Sequence, residues 1–218
     1  MFRVGTQMST TTDTTEHHPL PEGAPDIARA IEEVDIEVAD AAGAIREHPV
    51  VETLGTVSEM ADQPPLIIGS TLVLAVGLLA RNPRLARAGG RMLASHLLAT
   101  FIKGQVKQRI DRTRPFVIHE EGRYEVGTQA PRDEGKYNSF PSGHTAGAVA
   151  VAEALIREYP DTASPARLWA GAIAFIQVPR CSHYPSDIAA GALVGLAAER
   201  AVNFAFDQAD QRSRRSTR

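Results

Sequence analysis

From Asp26 onward, apolar positions recur every three to four residues. Ile27, Ile31, Val34, Val38 and Ile45 mark one face, with Glu32, Glu33, Glu37 and Asp40 between them. This is the period of an amphipathic packing helix with a solvated acidic face. Asp26 stands where its N-cap belongs. Residues 50–61 read as a second, short helix ended by Pro64-Pro65. Between Asp62 and Arg81 lie 18 uncharged residues, QPPLIIGSTLVLAVGLLA. About 15 of them are usable as apolar helix, against about 20 for a bilayer crossing, so a buried core helix and a membrane segment both stay open. Shorter uncharged runs follow at 92–102, 168–179 and 188–198, with Gly147, Gly171, Gly191 and Gly195 suited to close helix packing. No run alternates with period two long enough to mark a strand. Residues 116–140 read as one polar loop, longer than a structureless connection usually is, and therefore functional. The pattern predicts an all-α bundle of about six helices with its site at helix ends. Residues 26–207 form the domain, 65–206 its motif-bearing core, 1–25 a disordered polar tail and 208–218 a basic tail.

Composition narrows the class. The chain has 218 residues, 43% hydrophobic and 22% charged, as in ordinary folded proteins and unlike collagen-like or disordered chains. One cysteine, Cys181, cannot form an internal disulfide. Mean hydropathy is −0.17, too low for a large multi-span carrier. Residues 1–25 lack the apolar stretch of a signal peptide. The net charge of −3 argues against a nucleic-acid binder but conceals an asymmetry. Residues 1–62 carry 13 acids and 3 bases; residues 81–115 carry 9 bases and one acid. The middle of the chain is thus a candidate anion site or membrane-surface patch.

Three segments bear chemistry. In KQRIDRTRP, Lys107 and Arg114 are seven apart. On one helix they would share a face, with Pro115 pushing Arg114 to the helix exit. Two cations aimed one way can clamp an oxyanion. In FPSGHT, Ser142 reads as an N-cap, with Gly143 and His144 in the first turn of a helix. Free N–H groups there suit a phosphate, Gly143 lets the backbone approach it, and His144 can give a proton to a leaving oxygen. In RCSHYPSD, Pro185 falls at a first helical position, and Asp187 can accept Nδ1–H of His183, four residues back. Such a bond leaves Nε2 free as nucleophile or base. The scattered histidines match no metal signature, and neither a metal nor another cofactor is expected.

In order and spacing these blocks resemble the type 2 phosphatidic acid phosphatase and vanadium haloperoxidase superfamily, whose pattern is K-x6-RP, then PSGH, then SR-x5-H-x3-D. The first two blocks match in full, and the third at His183 and Asp187. The family's Ser-Arg dipeptide would fall at Ile176-Gln177. Arg180, about one turn on, is the candidate replacement for that arginine.

The resemblance implies a metal-independent phosphoric ester hydrolase. His183 would attack phosphorus, oriented by Asp187, and His144 would protonate the leaving alcohol. Lys107, Arg114, Ser142, Gly143 and Arg180 would hold the phosphate. It further implies a lipid phosphate substrate, such as a polyprenyl phosphate or phosphatidate, and a place in or on a bacterial-type cytoplasmic membrane. Two other readings compete: a phosphate-binding member weakened by loss of the arginine at 177, and a vanadate-dependent haloperoxidase.

Overall fold

The computed structural model describes residues 16–18, 20, 24–127 and 135–216. Eight α-helices account for most of them: α1 (Asp26–Gly43), α2 (Pro49–Ser58), α3 (Gln63–Leu79), α4 (Pro83–Lys107), α5 (Pro115–Glu121), α6 (Gly143–Glu158), α7 (Ala163–Ile176) and α8 (Pro185–Ser216). The all-α bundle expected from periodicity is therefore the architecture. Helices α3, α4, α6 and α8 pack on one another at its centre, and α7 packs on α6.

The core is built from small side chains. Ala148, Ala152 and Ala170 meet Ala61 and Ile173 on one side of α6, while Ala99, Ala150 and Ala198 join α4, α6 and α8 on the other. Small residues bring helix backbones close. A Cβ on Gly191 would lie 2.5 Å from the Ser142 carbonyl oxygen, and one on Gly195 would lie 2.6 Å from that of Ala146. Backbone cannot yield there as a flexible side chain can. Gly191→Ala is therefore expected to cost about 1–3 kcal/mol by overpacking and to displace the start of α6; a thermal melt and phosphate binding together check it.

Several elements depart from the sequence pattern. Prolines 64 and 65 open α3, in the first turn where no N–H is needed, as well as ending what precedes. Residues 116–140 are not one loop: α5 is followed by β3 (Arg123–Gly127) and a 3-10 turn at Gly135–Tyr137. Strand β3 pairs antiparallel with β2 (Asp111–Arg112) and parallel with β1 (Glu16–His18). Glu16–His18, expected in a structureless tail, is thus an edge strand paired with β3; residues 1–15, 19 and 21–23 of that expected tail lie outside the described residues. The tail expected from 208 is helical to Ser216. No Gly or Pro interrupts it, and Arg87 holds Asp210 at 2.7 Å while buried Arg91 holds Asp207 at 3.2 Å.

Helix α1 turns its expected apolar face outward, while Glu33, Glu37 and Asp40 stay exposed as expected. Its inward residues are Glu32, Asp35, Ala39 and Ala42, and its N-cap position is Pro25, not Asp26. Ile27 is 73% exposed, and Ile31, Val34 and Ile45 also face outward. The same holds for Ile68, Leu72 and Val76 on α3, Leu168 and Phe175 on α7, and Leu193 and Phe204 on α8. So much apolar exterior is unusual for a water-soluble monomer. Helix α8 alone among the described helices is long and apolar enough to cross a bilayer, over Pro185–Arg212; the Pro49–Ala61 and Gln63–Leu79 pair qualifies together but is bent by 51°.

Candidate active site

The three motif segments meet where the ends of α4, α6 and α8 converge. Helix α4 stops at Lys107, so Lys107 and Arg114 do not share one helix face. The chain turns through β2 instead. Arg114 takes extended backbone as the residue before α5, with Pro115 at the first helical position. The turn brings the two cations together. The Arg114 Nε donates to the Gly135 carbonyl at 2.9 Å, and the Lys107 Nζ donates to the Asn138 carbonyl. Burial, then the charges of Arg114 and Lys103, push the Lys107 pKa down to about 7. Burial and Arg180 lower that of Arg114. Mutually repelling cations are favourable only when an anion joins them.

Ser142 caps α6 as its sequence suggested. Its Oγ accepts from the Thr145 Oγ1 at 3.0 Å and the Thr145 N–H at 3.4 Å. Its own N–H donates to the Asp187 carbonyl at 3.0 Å, which ties the start of α6 to the start of α8. Gly143 follows as the first helical residue, and His144 stands 3.3 Å from the Glu59 carboxylate through Nε2. Burial lowers the His144 pKa below its ordinary value, and Glu59 and Asp62 only partly offset this.

His183 and Asp187 are both fully buried. Before them Cys181 takes a left-handed φ of 53°, unusual without a glycine. That turn folds the chain back, so the N–H groups of Ser182 and His183 both donate to the Gln177 carbonyl. His183 Nδ1 lies 3.6 Å from the Asp187 Oδ2, an ion-pair distance rather than the expected hydrogen bond, and Nδ1 has no other partner. The oxygens of Asp187 are occupied. Oδ2 accepts from the Ser139 Oγ at 2.5 Å and the Tyr184 N–H at 2.9 Å, and Oδ1 from the Arg112 Nη1 at 2.9 Å. Burial, reinforced by Arg114 and Lys107, holds the His183 pKa down to about 4 despite Asp187. The ring is neutral at ordinary pH, as a nucleophile must be.

Arg112, Asp35 and Ser139 are not among the residues singled out by sequence. The buried Arg112 guanidinium bridges Asp187 and, at 2.8 Å, Asp35 on α1. It lies 3.9 Å from the centre of the Tyr184 ring. Asp35 also accepts the Ser186 N–H at 3.0 Å and its hydroxyl. The one legible signal was an acid on the inward side of α1, visible only once that side is known.

Arg180 lies at the mouth. Its Nη1 donates to the Gly55 carbonyl at 3.1 Å, the Ser58 Oγ at 2.9 Å and the Glu59 Oε1 at 2.7 Å. Glu59 thus bridges Arg180 and His144. Gln177, fully buried, donates to the Ile173 carbonyl and to the Ser58 Oγ that also accepts from Arg180. A cavity of about 620 Å³ opens here, lined among others by Arg114, Arg180, Glu59 and Ser182. No cluster of metal-ligating side chains occurs among the described residues.

A family model described as the PAP2 superfamily matches residues 88–209, more than half of the chain. Two solved structures share the fold. LpxE of Aquifex aeolicus is 20% identical with a TM-score of 0.58, over 77% of this chain and 93% of its own. The first transmembrane PAP2 type phosphatidylglycerolphosphate phosphatase from Bacillus subtilis is 20% identical with a TM-score of 0.60, over 82% and 87%. No curated protein matches the chain.

Proposed function

Because the chain belongs to the PAP2 superfamily and is a phosphoric ester hydrolase of that kind, we propose that it removes phosphate from a lipid phosphate or diphosphate at a membrane surface, without a metal, through a phosphohistidine. The observation that carries this reading is the meeting of positive charge without a carboxylate partner, the N-terminus of α6 and a buried neutral histidine where α4, α6 and α8 converge, beside a cavity lined by Arg114, Arg180 and Ser182. A phosphate ester resists attack because it is anionic, so fixed cations and N–H donors lower the barrier most.

In this reading the His183 lone pair attacks phosphorus in line with the departing alkoxide. Lys107, Arg114 and the first N–H groups of α6, beside Gly143, hold the equatorial oxygens. Ser142 fixes that helix start, and Arg180 lines the mouth. His144 gives its proton to the leaving oxygen, then takes one from the water that cleaves the P–N bond. Asp187, held by Arg112, Ser139 and the Tyr184 N–H, stabilises the positive charge that His183 gains. Its 3.6 Å separation would tighten as that charge forms, as catalytic hydrogen bonds do on substrate binding. The apolar exterior of α1, α3, α7 and α8 and the likeness to a structure named as a transmembrane phosphatidylglycerolphosphate phosphatase support the lipid and the membrane; a bacterial cytoplasmic membrane is the location this reading favours.

The test is phosphate release by the full chain in detergent from phosphatidate, phosphatidylglycerol phosphate, polyprenyl phosphates and a soluble ester, with and without EDTA. Release from a lipid that persists in EDTA is expected. Strict metal dependence, or turnover of the soluble ester alone, contradicts the reading.

The titrating groups set the pH profile. His183 attacks only when neutral, so acid removes it only below about 4. His144 donates only when charged, and its lowered pKa means this form is lost as pH rises, before its ordinary value of about 6.5 is reached. Lys107 loses charge from about 7 upward and steepens the same limb. The profile of kcat/KM should therefore be a bell on the acid side of neutrality. An optimum above about pH 8 would contradict the assignment of acid and nucleophile.

A further inference from the structure

We infer that Lys103 is a third phosphate-binding cation, standing in for the arginine that the superfamily pattern places at the position of Gln177. The inference rests on the phosphatase reading of the same site and adds a residue to it. Lys103 lies one turn before Lys107 on α4, so both side chains leave the same face of the helix. Its ammonium reaches the start of α6: a Cβ on Gly143 would stand 2.8 Å from the Lys103 Nζ. The head group therefore sits over the N–H groups proposed to bind phosphate, beside Lys107 and Arg114, whose charges it feels.

Lys103 is half-buried, yet among the described residues no hydrogen bond or ion pair engages it. Asp62 acts on it through space without pairing, and Asp187 is already saturated by Arg112, Ser139 and the Tyr184 N–H. Three cations thus converge on one helix N-terminus, itself positive, without a carboxylate partner for Lys103. That arrangement is unfavourable in the empty protein and favourable around a polyanion. Arg180 differs. Glu59 neutralises it, and Gly55 and Ser58 also hold its Nη1. Gln177 points its amide at Ser58 and Ile173. A lysine can replace an arginine here because a point charge suffices for phosphate, although the two-pronged geometry is lost.

The test uses the full chain in detergent, as wild type, Lys103→Met and Lys103→Arg. Binding of inorganic phosphate is measured by calorimetry, kcat/KM on a phosphate ester by phosphate release, and folding by thermal melt. Lys103→Met should bind phosphate about tenfold more weakly and lose about 100-fold in kcat/KM, the scale of one lost oxyanion donor. Its melting temperature should hold or rise as repulsion is relieved. Lys103→Arg should recover most of both. Unchanged phosphate binding in Lys103→Met overturns the inference, as does absence of phosphate binding by the wild type. If Met at this position prevents folding, Lys103→Gln carries the same comparison. Binding that depends on Lys103 in a chain hydrolysing no ester would refute the phosphatase reading and leave Lys103 as a phosphate ligand.

Discussion

His183→Ala should abolish phosphate release, lowering kcat by at least about 10⁴-fold, as removal of a nucleophile does when the binding groups remain. Inorganic phosphate should still bind, because Lys107, Arg114 and the start of α6 are untouched. The fold should survive. The imidazole is fully buried and its Nδ1 makes no hydrogen bond, standing 3.6 Å from Asp187, so removing it opens a small cavity but also removes an unsatisfied polar atom, and the two effects oppose each other. Assay of phosphate release beside calorimetric phosphate binding separates chemistry from affinity. A variant with near wild-type turnover would assign the nucleophile elsewhere.

Arg112→Met should have the largest effect on the fold. It leaves Asp35 and Asp187, both almost fully buried, without their shared counter-ion. Losing one partner of a buried pair costs about 3–5 kcal/mol, which in a chain of this size lowers the melting temperature by about 10 °C or more. Turnover should fall too, because Asp187 would lose the contact that holds its Oδ1. Adding Asp35→Asn should restore part of the stability, since one orphaned charge is gone, but not the activity. An unchanged melting temperature in the single variant would mean that the Asp35–Arg112–Asp187 chain holds nothing.

That chain also shows where sequence reasoning stops. The three motif segments were legible because their members lie within a few residues of one another, and each carries a local rule: a proline after Arg114, a cap at Ser142, a spacing of four between His183 and Asp187. Arg112 and Asp35 are 77 residues apart, and no local rule joins them. Periodicity in α1 located the apolar stripe correctly but could not say which medium it faces. The assumption of a water exterior put that stripe inside, whereas it faces outward together with Glu33, Glu37 and Asp40, and the inward side carries Glu32, Asp35, Ala39 and Ala42. The short elements of residues 115–127 fall below the length at which periodicity speaks. The basic block of 81–115 was read as one patch, but it divides. Arg84 donates to the Glu158 carbonyl, while Arg87 and Arg91 pair with Glu158 and with acids of α8. Lys103, Lys107, Arg112 and Arg114 reach the site, while Arg109 is exposed and donates back to the Gln105 carbonyl.

The central claim is covalent catalysis by His183. Full-length protein mixed with a substrate bearing radiolabelled phosphate and quenched with alkali within milliseconds should carry label in a bond stable to base and labile to acid, mapped by peptide sequencing to His183. In the His144→Ala variant the label should both appear and disappear more slowly, since His144 serves the leaving oxygen and the water step alike. Release of labelled phosphate at full rate with no label on His183 at any time point would contradict the account.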